Sequence, residues 1–164
     1  INEIFSDKSI DLVSIASYDD THYRYVVKAI KNNKNIIVEK PMCLNVGQLN
    51  NIHRKVKKSK KVKIISNLVL RVNDLFLKFK KNIDTNKIFY IEADYLWGRK
   101  EKIVSGWRAE ADFYSIIHGA AVHMIDLVLW ITQKKPVSVK ALGSNMMVSG
   151  TKQKHNDFAI LLLE

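Results

Sequence analysis

The chain has 164 residues, 47% of them hydrophobic, which is enough apolar material to bury one sizeable core. No apolar run approaches the roughly 20 residues that span a bilayer, and Asn2, Glu3, Asp7 and Lys8 replace the basic flank and apolar block of a secretion signal. Cys43 is the single cysteine, which excludes an internal disulfide and a cysteine-based metal cluster; a cytoplasmic chain without membrane contact or bound metal is expected.

The formal charge of +11 raises the question of a nucleic-acid partner. The lysines, however, are spread along the chain and interleaved with asparagine and isoleucine. One cluster stands apart, Lys55, Lys57, Lys58, Lys60, Lys61 and Lys63, at the end of a predicted helix where cations suit the negative end of the dipole. With no aromatic interleaving and no recognised nucleic-acid module, a solvated helix end is the reading, and no nucleic acid is expected.

In chain order, Ile10 to Ala16 (IDLVSIA) is short, apolar and β-branched, and reads as a buried strand of a parallel sheet. A polar loop, Ser17 to Thr21, leads into a helix with Tyr25, Val26, Ala29 and Ile30 on one side, Asp20 or Thr21 as N-cap, and Asn32 and Asn33 at its end. Asn35 to Val38 (NIIV) is a second strand, stopped by Glu39, Lys40 and Pro41 because proline cannot donate to a central ladder. Val46, Leu49, Ile52 and Val56 recur at helical spacing, and Val62 to Ser66 (VKIIS) is a third strand. This β-α-β-α-β series with short links is the pattern of a parallel sheet with helical crossovers, half of a doubly wound domain over residues 1–70.

From residue 71 the pattern changes, and a second domain over 71–164 is expected. A helix from about Asn73 to Asn82 precedes Ile88 to Trp97, whose alternation predicts a strand with one exposed face. Trp107 to Ser115 has no clean period, whereas His118 to Ile131 carries Ala120, His123, Leu127 and Trp130 at helical offsets and stops before Lys134, Lys135 and Pro136. Val137 to Leu142 and Asp157 to Leu163 read as neighbouring strands of an open antiparallel or mixed sheet.

Chemistry is expected at the carboxyl ends of the parallel strands, where the Ser17 to His22 loop and the Glu39-Lys40-Pro41 step both fall. Lys40 follows an apolar strand directly. Partial desolvation of its ammonium would lower its pKa toward the range useful for proton transfer; the plain alternative is a solvated lysine paired with Glu39. His123 and Asp126 lie one helical turn apart, which allows a histidine oriented or charged by a carboxylate. A histidine satisfied by ordinary hydrogen bonds is the alternative there, since spacing offers no third metal ligand. His118 is a second candidate turned away from His123, while His53 falls on a helix flank and His155 in a loop.

The run from Ile10 to Pro41, IDLVSIASYDDTHYRYVVKAIKNNKNIIVEKP, resembles the signature stretch of the Gfo/Idh/MocA oxidoreductases, relatives of glucose-fructose oxidoreductase and inositol dehydrogenase. It joins a strand, an Ala-Ser-Tyr version of the family's Ala-Thr-Pro turn, a histidine opening the next helix, and Glu-Lys-Pro at the expected distance. Asn67 with Arg71, Trp107-Arg108 and HGAAVHMIDLVLW (His118 to Trp130) follow in the family's order.

The resemblance implies a Rossmann-type α/β domain followed by part of an α+β domain with an open sheet. It also implies hydride transfer between NAD or NADP and a secondary alcohol of a sugar, sugar nucleotide or cyclitol, by a homo-oligomer. Lys40 would bond the hydroxyl being oxidised and help move its proton, and His123 would be the partner acid/base. Ser17, Tyr18, Asp19, His22, Glu39, Lys40, Asn67, Trp107 and Arg108 would lie along the cofactor, and Lys40, Arg108, His118 and His123 along the substrate.

Two departures bear on this. Many relatives carry an aspartate four residues before the histidine where this chain has Gly119, and a glycine-rich stretch is replaced by Asp112, Phe113, Tyr114 and Ser115. No GxGxxG occurs either; the resemblance puts the family's first strand, phosphate loop, first helix and ribose-binding acid ahead of Ile1. Without those amides dinucleotide binding by this chain alone is expected to be poor. A non-catalytic sensor or assembly subunit of the same fold is the alternative, with Gly119 as its support.

Overall fold

The computed structural model describes residues 2–164, which fall into two compact units, one ending at Asn67 and the other running from Leu68 to Glu164.

In the first unit, β1 (Leu12–Ile15), β2 (Asn35–Glu39) and β3 (Ile64–Asn67) form a parallel sheet with β2 in the centre. Ile15 lies opposite Val38, and Glu39 opposite Asn67, so the strands finish close to one level. Around the sheet are α1 (Asn2–Ser6), α2 (Asp19–Lys31) and α3 (Val46–Ser59). Period-two alternation sends Val13, Ile15, Ile36 and Val38 to one face, where they pack with Val26, Ala29 and Ile30 of α2 and Ile52 of α3. Burying an aliphatic side chain of this size contributes roughly 1.5–3 kcal/mol before entropy is counted, so this one face carries most of the unit's stabilisation.

The other sheet face is open. Leu12, Ser14, Ile37 and Ile65 are exposed, Ile65 to 62%, so these strands alternate where their apolar sequence predicted burial on both sides. A run of apolar residues reports what a strand is built to touch on two faces; helices here cover one.

Helix boundaries follow local chemistry. α2 starts at Asp19 with Tyr18 as N-cap, not at Asp20 or Thr21, and no side chain caps it. Thr21 instead turns its hydroxyl back to donate to the Tyr18 carbonyl at 2.7 Å. Asn33 at the other end takes the left-handed conformation, φ 56°, which asparagine tolerates better than most residues. In α3 the Gln48 amide donates to Asn45 Oδ1 at 2.9 Å while Gln48 Oε1 accepts from the Leu44 amide, a reciprocal cap that the helical periodicity does not reveal. The basic residues Lys57, Lys58, Lys60 and Lys61 at its end are exposed, in keeping with a solvated terminus. α1 is too short for any period to announce it; Phe5 holds it by burial and by stacking on Tyr25, ring centroids 6.1 Å apart.

The second unit contains α4 (Asp74–Asn82), α5 (Glu101–Val104), α6 (Gly106–Glu110) and α7 (Val122–Thr132), the last preceded by one π-helical turn, Ile117–Ala121. β4 (Val139–Ser144) and β5 (Phe158–Leu163) pair antiparallel, Val139 opposite Leu163 and Ser144 opposite Phe158. The predicted strand from Ile88 to Trp97 is a correction: the segment joins no ladder among the described residues, and Phe89 is 99% exposed. Alternation supplies a face, but a strand also needs a neighbouring backbone to bond. α4 is tied to the end of α7 by Lys80, whose ammonium donates to the Trp130 carbonyl at 2.5 Å and lies 4.9 Å from the Trp130 ring centroid.

Ile36→Ala is expected to cost about 2–5 kcal/mol and Ile65→Ala less than about 0.5 kcal/mol in denaturant unfolding, although both sit on the paired strands β2 and β3. Burial pushes the Cys43 thiol up, so its alkylation near neutral pH is expected to run slower in the folded chain than in the chain unfolded by urea.

Candidate active site

The carboxyl ends of β1, β2 and β3 gather the first group of candidates. Ser17 and Tyr18 follow β1, Glu39 ends β2 with Lys40 next to it, and Asn67 ends β3. Asn67 donates its side-chain amide to Glu39 Oε1 at 2.6 Å, so the two neighbouring strand ends are fastened by a charge-assisted hydrogen bond. Glu39 is thus bonded to Asn67, and Lys40 is half-buried beside it.

His22 occupies a different kind of place from the one its position in the signature suggests. It is 1% exposed, with Nδ1 2.8 Å from the Pro41 carbonyl oxygen and Nε2 2.9 Å from that of Ser17. Both neighbours are acceptors. The neutral ring donates to one of them and the protonated ring to both. With each nitrogen occupied by backbone, His22 staples the loop after β1 to the loop after β2, where the Lys40-Pro41 peptide bond is cis. Its service to a ligand is to hold Ser17 and Lys40 in place.

Ser17 is exposed, with its hydroxyl 2.5 Å from that of Thr21, and Tyr18 is 57% exposed. An exposed phenol ring, a hydroxyl, a carboxylate and an ammonium along one edge of a parallel sheet are the groups that recognise ribose hydroxyls and a flat heterocycle. Pyrophosphate is another matter. The first turn of α2 carries Asp19 and Asp20, whose charges oppose an anion at that helix N-terminus. These residues therefore fit the nicotinamide-riboside end of a dinucleotide rather than its phosphates.

In the second unit, Arg108 of α6 is surrounded by rings. Its guanidinium carbon lies 4.4 Å from the Trp107 ring centroid, 5.5 Å from that of Tyr114 and 5.9 Å from that of Trp97. Buried Arg108 Nε has no hydrogen-bond partner among the described residues, and neither has His118 Nδ1. A cation held by π-faces with a donor to spare suits a polar or anionic ligand group. Sequence reasoning picked out Trp107 and Arg108; Trp97 and Tyr114 escaped it because nothing local links them to Arg108.

His123 is buried on α7 and stacks on Tyr95, centroids 5.7 Å apart and planes 13° from parallel. Its expected carboxylate partner, Asp126, is engaged elsewhere. Arg71 Nε and Nη2 donate to Asp126 Oδ2 and Oδ1 at 2.8 and 2.5 Å, a two-pronged bond that raises the guanidinium pKa further. A helical interval of three was compatible with a histidine-carboxylate pair; tertiary packing gave the carboxylate to an arginine. His155 also has a structural partner, with Nε2 2.5 Å from the Asp112 carbonyl oxygen. No group of three or more histidine, cysteine or acidic residues is arranged to hold a metal among the described residues. No helix there is long and apolar enough to cross a membrane.

The second unit also holds an apolar cavity of about 580 Å³, lined by Leu75, Phe79, Ile83, Tyr90, Leu127 and Ile131 among others. Apart from Tyr90, Glu92 and Asp94 its lining residues are apolar.

Residues 1–67 match the family model described as oxidoreductase family, NAD-binding Rossmann fold. Among curated relatives, the uncharacterised oxidoreductase YhhX of Escherichia coli K12 is 26% identical over 133 residues, covering 79% of this chain and 37% of that protein. The oxidoreductase YteT of Bacillus subtilis 168 is 30% identical over 150 residues, covering 82% and 32% respectively. The chain thus spans about a third of the length of these relatives. Among solved structures, the myo-inositol 2-dehydrogenase of Lactobacillus plantarum superposes with a TM-score of 0.78 at 19% identity, over 99% of this chain and 50% of that one. Signature and family model agree that residues 1–67 are the NAD-binding Rossmann part of a Gfo/Idh/MocA oxidoreductase, and the chain shares the fold of the Lactobacillus plantarum enzyme.

Proposed function

We propose that this protein acts as an NAD(P)-dependent dehydrogenase that oxidises a secondary alcohol of a sugar, sugar nucleotide or cyclitol. The observation that carries the proposal is the strand-end array of Ser17, Tyr18, Glu39, Lys40 and Asn67, held by the His22 staple and the Glu39-Asn67 bond. The signature stretch and its similarity in sequence to inositol 2-dehydrogenase support the substrate class.

Bound nicotinamide supplies the hydride acceptor for alcohol oxidation. The chain's own work is to place the alcohol and take its proton. Lys40 Nζ hydrogen-bonds the hydroxyl oxygen; as the C–H bond gives up its hydride and the carbonyl forms, the hydroxyl proton passes to a base. Lys40, in its neutral form, and His123 are the groups assigned to that transfer. Arg108, with its spare donor, binds a polar substituent of the substrate or the cofactor, and His118 offers a further polar contact on the substrate side. Oxidation needs no metal in this scheme. Family resemblance further suggests a homo-oligomer with a small-molecule substrate, and the sequence reading places it in the cytoplasm.

The test is reduction of NAD and NADP followed by nicotinamide absorbance, with a panel of sugars, cyclitols and sugar nucleotides offered to the intact protein and to Lys40→Met. Removing the base is expected to lower kcat by about 10²–10⁴-fold while coenzyme affinity changes little. Equal turnover in the variant rejects the assignment of Lys40. Coenzyme binding with no turnover of any substrate favours a non-catalytic sensor of the same fold.

A further inference from the structure

Gly119 and Tyr114 meet in a way that neither position announces alone. A Cβ built on Gly119 would lie 2.5 Å from Tyr114 Oη, 2.9 Å from Cζ and 3.1 Å from Cε2. The tyrosine ring tip therefore occupies the volume that a side chain at 119 would need. Tyr114 is only 3% exposed, and the edge of its ring system meets Trp107 with centroids 5.7 Å apart, while Arg108 lies over it. The ring is held from the far side and its hydroxyl end rests on the glycine.

Position 119 is one turn before His123, in the π-helical turn that leads into α7. Residues four apart on a helix share a face, with Cβ atoms roughly 5–6 Å apart. Whatever fills position 119 is the helical neighbour of the His123 side chain. Here that filling is a phenol hydroxyl, which both donates and accepts and stays neutral until pH approaches about 10.

We propose that Tyr114 is a positioning residue for His123, supplying from the loop after α6 the polar group that a side chain at 119 would otherwise supply from the helix. The two unusual positions are then one compensated change. Gly119 lacks a side chain so that Tyr114 can enter, and any larger residue at 119 displaces the hydroxyl. The assignment of His123 as an acid/base rests on the function proposed above; the placement of Tyr114 in the space beside Gly119 does not.

The other charged and titratable groups around His123 are Tyr95 stacked on its ring, Asp126 on its own helix with Arg71 bound to it, His118 in the preceding turn, and Arg108 over Tyr114. Tyr114→Phe leaves all of them in place and removes one oxygen. It retains the ring that packs on Trp107, so folding is expected to survive.

The experiment is an NMR titration of the histidine imidazoles in the 164-residue chain, with His123 assigned by a His123→Gln variant. In Tyr114→Phe the buried imidazolium loses a polar neighbour, and the His123 pKa is expected to fall by about half a unit or more while that of His53 stays. Gly119→Ala, which pushes the hydroxyl aside without removing it, is expected to shift His123 as well and serves if the first variant is unstable. An unchanged His123 titration in the folded variants overturns the proposal. In the intact enzyme, Tyr114→Phe is expected to lower kcat about tenfold, to move its pH limb with the His123 pKa and to leave KM for the coenzyme unchanged. A shifted His123 with no dehydrogenase turnover in the unaltered protein keeps the coupling and rejects the function; turnover unaffected by Tyr114→Phe rejects the positioning role alone.

Discussion

The first unit depends on one packing constraint, the burial of a single face of a three-stranded parallel sheet under α2 and α3. Because the strands are parallel and in near-level register, their carboxyl ends come out along one edge, and the residue that follows each strand is delivered there without any contact of its own. Glu39 and Asn67 then bond directly, and His22, fully buried under the same edge, locks two of the loops by their carbonyls. The placement of Lys40 is thus a consequence of the core beneath it. Its loop is short, its strand is central and its neighbours are fastened.

The second unit works by different means. Its β4–β5 pair has exposed residues on both faces, and Ile88 to Trp97 joins no ladder among the described residues. Organisation there comes from polar and aromatic contacts between remote segments: Arg71 with Asp126, Lys80 with the end of α7, Arg108 among Trp97, Trp107 and Tyr114, and His123 against Tyr95. Such contacts are directional, which suits residues that must present a donor or a ring at a defined angle. They also tie up groups that would otherwise be candidates, Asp126 being the clearest case.

The histidines of this chain differ in how their ring nitrogens are committed. His22 sits in the family signature, yet both its nitrogens face backbone oxygens in the interior; His155 meets a backbone carbonyl, and His53 is exposed on α3. His118 keeps a buried Nδ1 without a partner, and His123 presents a flat face to Tyr95. A histidine committed to two carbonyls is a poor proton carrier because moving its proton breaks a buried bond. The remaining pair lies on the turn and helix that the aromatic cluster supports.

What the sequence by itself determined is local: the three parallel strands, the helices between them, and the placement of Glu39 and Lys40 directly after β2, since apolar period and proline position are properties of neighbouring residues. The same local logic overreached at Ile88 to Trp97, where alternation predicted a strand that joins no ladder among the described residues, and at Thr21, whose hydroxyl turned back to a carbonyl and left capping undone. Tertiary structure alone decided that Asp126 belongs to Arg71, 55 residues away, that His22 is a staple, and that Tyr114 fills the space beside Gly119. Those outcomes depend on which surfaces meet after folding, and a one-dimensional pattern carries the shape of each surface but not the identity of its neighbour.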